Sequence, residues 1–288
     1  MNNAKVTVLI PAFNEHANIG EMIRSIHKLH PDFEVLVVND GSEDQTMDVA
    51  LDAGANVWPH PYNMGNGAAV KTGLRCASGD WIVMMDADGQ HDPADIARLL
   101  EHKDKYDMVV GARTKASIMS WHRNLANWVY NRLASYVCKF KIKDLTSGFR
   151  LLKTETARKY IYMLPNTFSY PSTLTLAYLR NGRTIKYVSI KTRARKGKGK
   201  SKIKLIEDGS RFFIIIVKIA TLFSPLRVFL PVSFLFFTTG VAYYAFTFLT
   251  YHRFSNMSLF LLMNSVIIFM MGLVSEQISQ MRNDRIEK

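Results

Sequence analysis

The sequence predicts an α/β fold: a doubly wound parallel sheet within residues 1–204, followed by an interfacial helix and a two-helix transmembrane hairpin. Three observations lead there. Continuous apolar runs alternate with helix-patterned stretches through residue 190. Two uncharged runs of 24 and 22 residues lie close together near the C-terminus. The net charge of +13 is concentrated just before them, where residues 191–204 hold eight basic side chains and no acid.

Four strands stand out. Residues 6–13 (VTVLIPAF) have the unbroken aliphatic character of a strand covered on both faces. Residues 34–40 (EVLVVND), 81–88 (WIVMMDAD) and 107–113 (DMVVGAR) repeat that character. Helices are expected between them, at 18–29, 45–53, 67–77 and 93–102. At the last of these, Asp92 offers a capping carboxylate and Pro93 a residue whose φ suits a first helical turn. This β-α-β rhythm calls for a parallel sheet, and such sheets bind ligands at the carboxyl ends of their strands.

The hairpin lies near the C-terminus. Residues 228–251 and 254–275 carry no charge, and each run exceeds the roughly 20 residues a helix needs to cross about 30 Å of hydrocarbon. Only His252 and Arg253 separate them. Basic residues lie on the near side, in 191–204 and at Arg282, Arg285 and Lys288, so the 1–204 domain and both termini are expected to be cytoplasmic. Before the hairpin, residues 205–225 read as an interfacial helix, apolar but punctuated by Arg211 and Lys218. The expected divisions are therefore 1–204, 205–225 and 226–288.

Charge and cysteines exclude other classes. Residues 1–190 hold 22 basic and 19 acidic side chains, which argues against a nucleic acid partner. Cys76 and Cys138 form neither a disulfide framework nor a metal-ligand spacing, and are expected as buried small side chains in a reducing compartment. The opening residues run directly into a strand pattern, without the layout of a signal peptide.

The polar motifs sit at strand ends. The first strand ends in Pro11-Ala12-Phe13-Asn14-Glu15 and the second in Val38-Asn39-Asp40-Gly41-Ser42. A carboxylate at such an end accepts hydrogen bonds from a ribose or a base; equally, Asn14 and Asp40 suit turns and helix caps. Residues 63–71 make a glycine-bearing turn into a helix with Lys71 one turn in, a place that favours anions, although neither a P-loop nor a GxGxxG spacing is present. The sharpest signal is Asp86-Ala87-Asp88-Gly89-Gln90 after an apolar strand. Two carboxylates and an amide at this spacing offer hard oxygens to Mg²⁺ or Mn²⁺, with the remaining positions left to a diphosphate and water. No Glu stands at the twelfth loop position, which excludes an EF-hand.

In this order the motifs resemble the family 2 glycosyltransferases of the GT-A fold, and in particular the polyprenyl-phosphate glycosyltransferases of the dolichol-phosphate mannose synthase kind. The resemblance covers about residues 5–204, and the hairpin extends it. It implies that Pro11, Phe13 and Glu15, with Val38 and Asp40, line a nucleotide site. It implies that Asp86, Asp88 and Gln90 hold metal, that Ala87 lies beside the donor, and that Lys71 adds a donor contact. Gly111-Ala112-Arg113 matches a Gly-x-Arg whose arginine faces the donor phosphates. The stretch 144–150 (DLTSGFR) matches one near the acceptor phosphate, placing Ser147 and Arg150 there, with Arg123 and Arg132 adding anion contacts. Residues 195–202 resemble a loop that closes over the diphosphate; Lys202 matches directly, and Lys196 stands where an arginine is expected.

The resemblance implies an inverting hexose transfer. The donor would be a nucleotide diphosphate sugar of GDP-mannose or UDP-glucose type, and the acceptor a polyprenyl phosphate at the cytoplasmic membrane face, with Asp88, Arg113 and Arg150 as catalytic residues. No Glu occurs between Glu155 and Glu207, so a carboxylate base found in many relatives is missing. An anionic phosphate acceptor needs none. The alternatives are another acceptor, such as a polysaccharide or protein, and an inactive nucleotide-sugar-binding scaffold. A processive synthase is disfavoured, since no Gln-x-x-Arg-Trp is present. Homo-oligomers are a further expectation of the resemblance.

Overall fold

The computed structural model describes residues 4–114, 128, 131, 132, 134–136, 138–166, 170–193 and 224–287, with side chains through residue 281. Arg123, Lys196, Lys202 and residues 205–223 of the expected interfacial helix lie outside the described residues. The chain divides into two units, one built mainly from residues 1–203 and one from residues 204–288.

In the first unit a seven-stranded sheet has the order β3-β2-β1-β4-β6-β5-β7. The strands are β1 Val6–Ala12, β2 Glu34–Asn39, β3 Asn56–Pro59, β4 Trp81–Met84, β5 Met108–Arg113, β6 Arg150–Lys153 and β7 Ile185–Ile190. The helices between them are α1 His16–Leu29, α2 Thr46–Asp52, α3 Asn66–Cys76, α4 Asp95–Leu100, α5 Thr154–Lys159 and α6 Tyr170–Arg180. All four expected strands and all four expected helices are present. The strand expected over 81–88 stops at Met84, because Asp86 and Asp88 turn out of the sheet. As expected of Asp92, its carboxylate accepts the Ala94 N–H at 3.1 Å ahead of α4.

The sheet is covered on both faces, which explains the aliphatic runs. Val8 and Ile10 of β1 join Ile19, Ile23 and Ile26 of α1, Val35 and Val37 of β2, and Ile96 and Leu99 of α4 in one buried cluster. Leu9 points the other way, against α3, where a Cβ at Gly73 would lie 2.0 Å from its Cδ1. A glycine is what allows this helix to approach the sheet so closely.

One strand breaks the parallel pattern. β6 runs antiparallel to both β4 and β5, while every other pair is parallel. Its first residue therefore lies at the edge where β1, β2, β4, β5 and β7 end. The 144–149 segment is delivered to the edge that carries the Asp-x-Asp motif.

In the second unit, helices α7 Leu226–Tyr251 and α8 Asn256–Glu287 form a hairpin, and both are long and apolar enough to cross a membrane. His252 ends α7 in the left-handed conformation, with its N–H on Phe248 O at 2.9 Å. Small residues bring the helices together: the Ser233 hydroxyl donates to Ser265 O at 2.8 Å, and Gly240 lies against Leu261 and Leu262. Large apolar side chains such as Phe234, Leu235, Leu249 and Met270 face outward, as hydrocarbon requires. α8 continues beyond the expected end at Ser275 into a polar stretch. Cys76 and Cys138 are partly exposed rather than buried.

Candidate active site

The carboxyl-end edge of the sheet gathers the motifs. After β4, Met85 N–H still bonds Leu9 O at 3.0 Å, and the chain then turns outward at Asp86. Gly89 adopts φ of +71°, a left-handed conformation that suits glycine, and the Gln90 N–H closes the turn on Asp88 Oδ1 at 3.1 Å. Asp86 keeps 35% of its side chain exposed. Asp88 and Gln90 are half-buried.

The turn is held from several sides. A Cβ added at Gly148 would lie 2.5 Å from Asp86 Oδ2 and 2.8 Å from Oδ1, so the backbone of the 144–149 segment presses against this carboxylate. From the end of β7, the Arg193 N–H donates to Gln90 O at 2.9 Å, and its guanidinium pairs with Asp92. One of the eight basic residues of 191–204 is thereby fixed beside the motif.

The donor set fits a hard divalent cation. Two carboxylates and an amide oxygen stand on one turn. Among the described residues no three His, Cys, Asp or Glu side chains form a closed cage. A cation here would take at most part of its coordination from these side chains and the rest from substrate oxygens and water.

The other expected residues divide into those that face outward and those already committed. Phe13 is exposed and Glu15 half-buried, with the Glu15 carboxylate accepting from Asn18 Nδ2 at 3.0 Å. Asn14 adopts φ of +56°; its N–H donates to Ser42 Oγ and its side chain accepts from Glu43 N–H, tying the ends of β1 and β2 together. Pro11, Val38 and Ala87 are buried, so they shape the edge from within.

Asp40, expected at the nucleotide site, is engaged within the fold. It is 3% exposed, and its carboxylate accepts from His60 Nδ1 at 2.7 Å and from the Met64 and Gly65 N–H groups at 2.9 Å each. The far nitrogen of His60 meets Thr72 Oγ1 at 2.9 Å. Asp40 thus pins the 60–65 turn to the end of β2. Lys71 is also committed: its ammonium donates to Asn166 Oδ1 at 2.7 Å, and burial, with Arg75 nearby, lowers its pKa. Asn166 O also takes the Ala68 N–H at the start of α3, covering part of the helix end expected to attract an anion.

Arg113, expected on the donor phosphates, is locked to Asp144. Two parallel bonds of 2.8 Å join guanidinium and carboxylate, and a third reaches Thr146 Oγ1 at 2.5 Å. Burial pushes the Asp144 carboxyl upward, but Arg113 more than offsets this and holds it below the usual carboxylate range. A depressed carboxylate contributes stability that is complete above its unfolded pKa of about 4 and is lost as pH falls through the folded value. We therefore expect Asp144→Asn to lower stability at pH 7 by about 3 kcal/mol. The gap between the two proteins should narrow on acidification below pH 4, which thermal melts across that range would show.

Ser147 and Arg150, expected beside the acceptor phosphate, are buried. Ser147 is 2% exposed and donates its hydroxyl to Gly111 O at 2.6 Å. Arg150 is 0% exposed. Its guanidinium donates to Ser147 O at 2.7 Å, Leu145 O at 3.0 Å and Thr175 Oγ1 at 2.7 Å, and burial lowers its pKa. Both side chains are engaged in bracing the 144–149 segment from behind. Arg132 is exposed, with its guanidinium 5.7 Å from the Trp128 ring. The bracing pairs Arg113–Asp144 and Asp40–His60 were missed by sequence reasoning, because nothing in residue type or spacing separates a strand-end charge that binds ligand from one that binds its own loop.

A GT-A core with an outward-facing Asp-x-Asp turn, joined to a membrane-associated apolar hairpin, is the plan of a sugar transferase that works beside a bilayer. The chain belongs to glycosyl transferase family 2, whose model matches residues 7–161, and residues 224–281 match the GtrB C-terminal hairpin. It is 31% identical over 202 residues to an uncharacterised protein of Methanocaldococcus jannaschii, covering 67% of this chain and 83% of that one. It is 30% identical over 184 residues to an undecaprenyl-phosphate 4-deoxy-4-formamido-L-arabinose transferase of Enterobacter sp., covering 57% of this chain and 56% of that one. In fold it is similar to glucosyl-3-phosphoglycerate synthase of Mycobacterium tuberculosis. The structure of that enzyme with phosphoglyceric acid matches with a TM-score of 0.60 at 22% identity, over 75% of this chain and 79% of the other. The structure with Mn²⁺ and UDP-glucose gives 0.58 at 24% identity, over 75% and 77%.

Proposed function

We propose that the protein transfers a hexose from a nucleotide diphosphate sugar to an anionic acceptor at a membrane surface, with polyprenyl phosphate as that acceptor. The observation that carries the reading is the solvent-facing Asp86–Asp88–Gln90 turn at the strand-end edge of a family 2 chain that also has a GtrB-type hairpin. The lipid acceptor is supported by the hairpin and by the undecaprenyl-phosphate substrate in the name of one relative. A small non-lipid acceptor is the second reading, supported by the fold shared with an enzyme named for phosphoglycerate.

In the proposed step, an acceptor phosphate oxygen bonds to the anomeric carbon as the bond to the nucleoside diphosphate breaks, with inversion. Asp86, Asp88 and Gln90 would hold Mg²⁺ or Mn²⁺, which supplies positive charge for the leaving diphosphate. The residues around them keep that turn fixed, so little reorganisation is needed when substrates arrive. Gly148 is part of this brace. Gly148→Ala pushes its new methyl against the Asp86 carboxylate, and the free end of that side chain must yield. We expect a melting temperature within a few degrees of wild type and Mn²⁺ binding weakened about tenfold, read by titration calorimetry in the presence of a nucleoside diphosphate.

The deciding experiment incubates membranes holding the protein with a panel of labelled nucleotide sugars, with and without added polyprenyl phosphate. Label in the organic phase that depends on the lipid supports the proposal. A water-soluble product made with added phosphoglycerate supports the second reading. Absence of turnover with every donor leaves a binding scaffold.

A further inference from the structure

Behind Asp86 lies a histidine that the proposed reaction does not use. His91 is 6% exposed. Its ring is stacked on Phe149, with centroids 5.1 Å apart and planes 16° from parallel. Its Nδ1 is buried and has no hydrogen-bond partner among the described residues. Its Nε2 faces Asp86 Oδ2 at 3.7 Å. Burying an unpaired ring nitrogen is unfavourable, and packing alone would be served as well by a phenylalanine.

The surroundings restrict what this ring can do. Gly148 presses on the Asp86 carboxylate, and Phe149, the next residue, fixes the plane of His91. Phe149 is itself fully buried and lies against Gly111, where a Cβ would be 2.6 Å from its Cδ1. Asp86 therefore sits between the Gly148 backbone and an imidazole edge whose orientation is set. The gap of 3.7 Å is too long for a hydrogen bond, but a carboxylate shift of under about 1 Å closes it.

We infer that His91 is a positioning residue for the cation site: its Nε2–H donates to Asp86 Oδ2 and orients the other carboxylate oxygen toward the metal. This rests on the proposed metal-binding role of Asp86 and Asp88. Outer partners of this kind fix the direction of a ligand and typically change metal affinity by about 10–100-fold when removed. The tautomer required has its proton on Nε2 and leaves Nδ1 as the bare ring nitrogen.

The test measures Mn²⁺ affinity by electron paramagnetic resonance, with a nucleoside diphosphate present, in wild type, Asp88→Asn, His91→Phe and His91→Gln. Metal-free melting temperatures are recorded in parallel. His91→Phe keeps the stack on Phe149 and removes the donor; His91→Gln keeps a donor. The expected result is Mn²⁺ binding at least tenfold weaker in His91→Phe, partly restored in His91→Gln, with melting temperatures near wild type. Wild-type affinity in His91→Phe, while Asp88→Asn loses the metal, overturns the role of His91 alone. So does an affinity in His91→Gln no better than in His91→Phe, and if His91→Phe fails to fold the Gln variant decides by its own affinity relative to wild type. Failure of wild type to bind Mn²⁺, or wild-type binding in Asp88→Asn, overturns the cation site and with it this inference.

Discussion

Asp88→Asn is expected to reduce sugar transfer by at least about 10²–10³-fold while the protein still folds and inserts. Asn occupies nearly the same volume and keeps an oxygen, so the 88–90 turn closed by the Gln90 N–H can still form. What disappears is one unit of negative charge from a turn that offers two carboxylates, and a hard cation responds steeply to that loss. Asp88 lies on a turn outside the sheet, and the core cluster contains neither it nor Asp86. The melting temperature of the metal-free protein should therefore stay within a few degrees. Full transfer activity in purified Asp88→Asn would remove the metal from the proposal.

Arg150→Met is expected to act on stability first. Methionine fills much of the same channel but donates nothing, leaving Ser147 O and Leu145 O without their guanidinium partner in a fully buried place. Losses of this type cost about 3–5 kcal/mol, or roughly 10 °C in melting temperature for a chain of this size. Arg150→Lys should recover little, because one ammonium cannot span acceptors that the planar fork reaches together. If Arg150→Met melted like wild type but lost affinity for a phosphate acceptor, Arg150 would return to the role expected from its motif.

The arginine and the aspartate differ in how far their surroundings could be read from sequence. β1, β2, β4 and β5 were legible because each is covered on both faces and so reads as an unbroken aliphatic run. β3 and β7 were not, because they are edge strands with partly exposed faces. β6 was hidden by its brevity, four residues beginning with an arginine. Only its antiparallel insertion, which pairs Arg150 with Met84 on one side and Val110 on the other, carries that charge into the core. The Asp-x-Asp motif stood out because two carboxylates directly after an apolar strand are unusual, but its turn out of the sheet at Met84 was not foreseen. Asp40 was ambiguous for the converse reason: its partners, at positions 60 to 65, are remote in sequence and mostly backbone.

The reversed strand also governs how the domain is made during synthesis. β3, β2, β1 and β4 can pair among themselves once residue 84 is available, whereas β5 and β7 touch that block only through β6. Until residues 150–153 are made, β4 presents an open edge of unpaired backbone groups. At ribosomal speeds of about 5–20 residues per second, this edge stays uncovered for roughly 3–14 s. An unprotected strand edge is a template for wrong pairing. The two halves of the sheet are joined by a four-residue strand, as an arch is by its keystone.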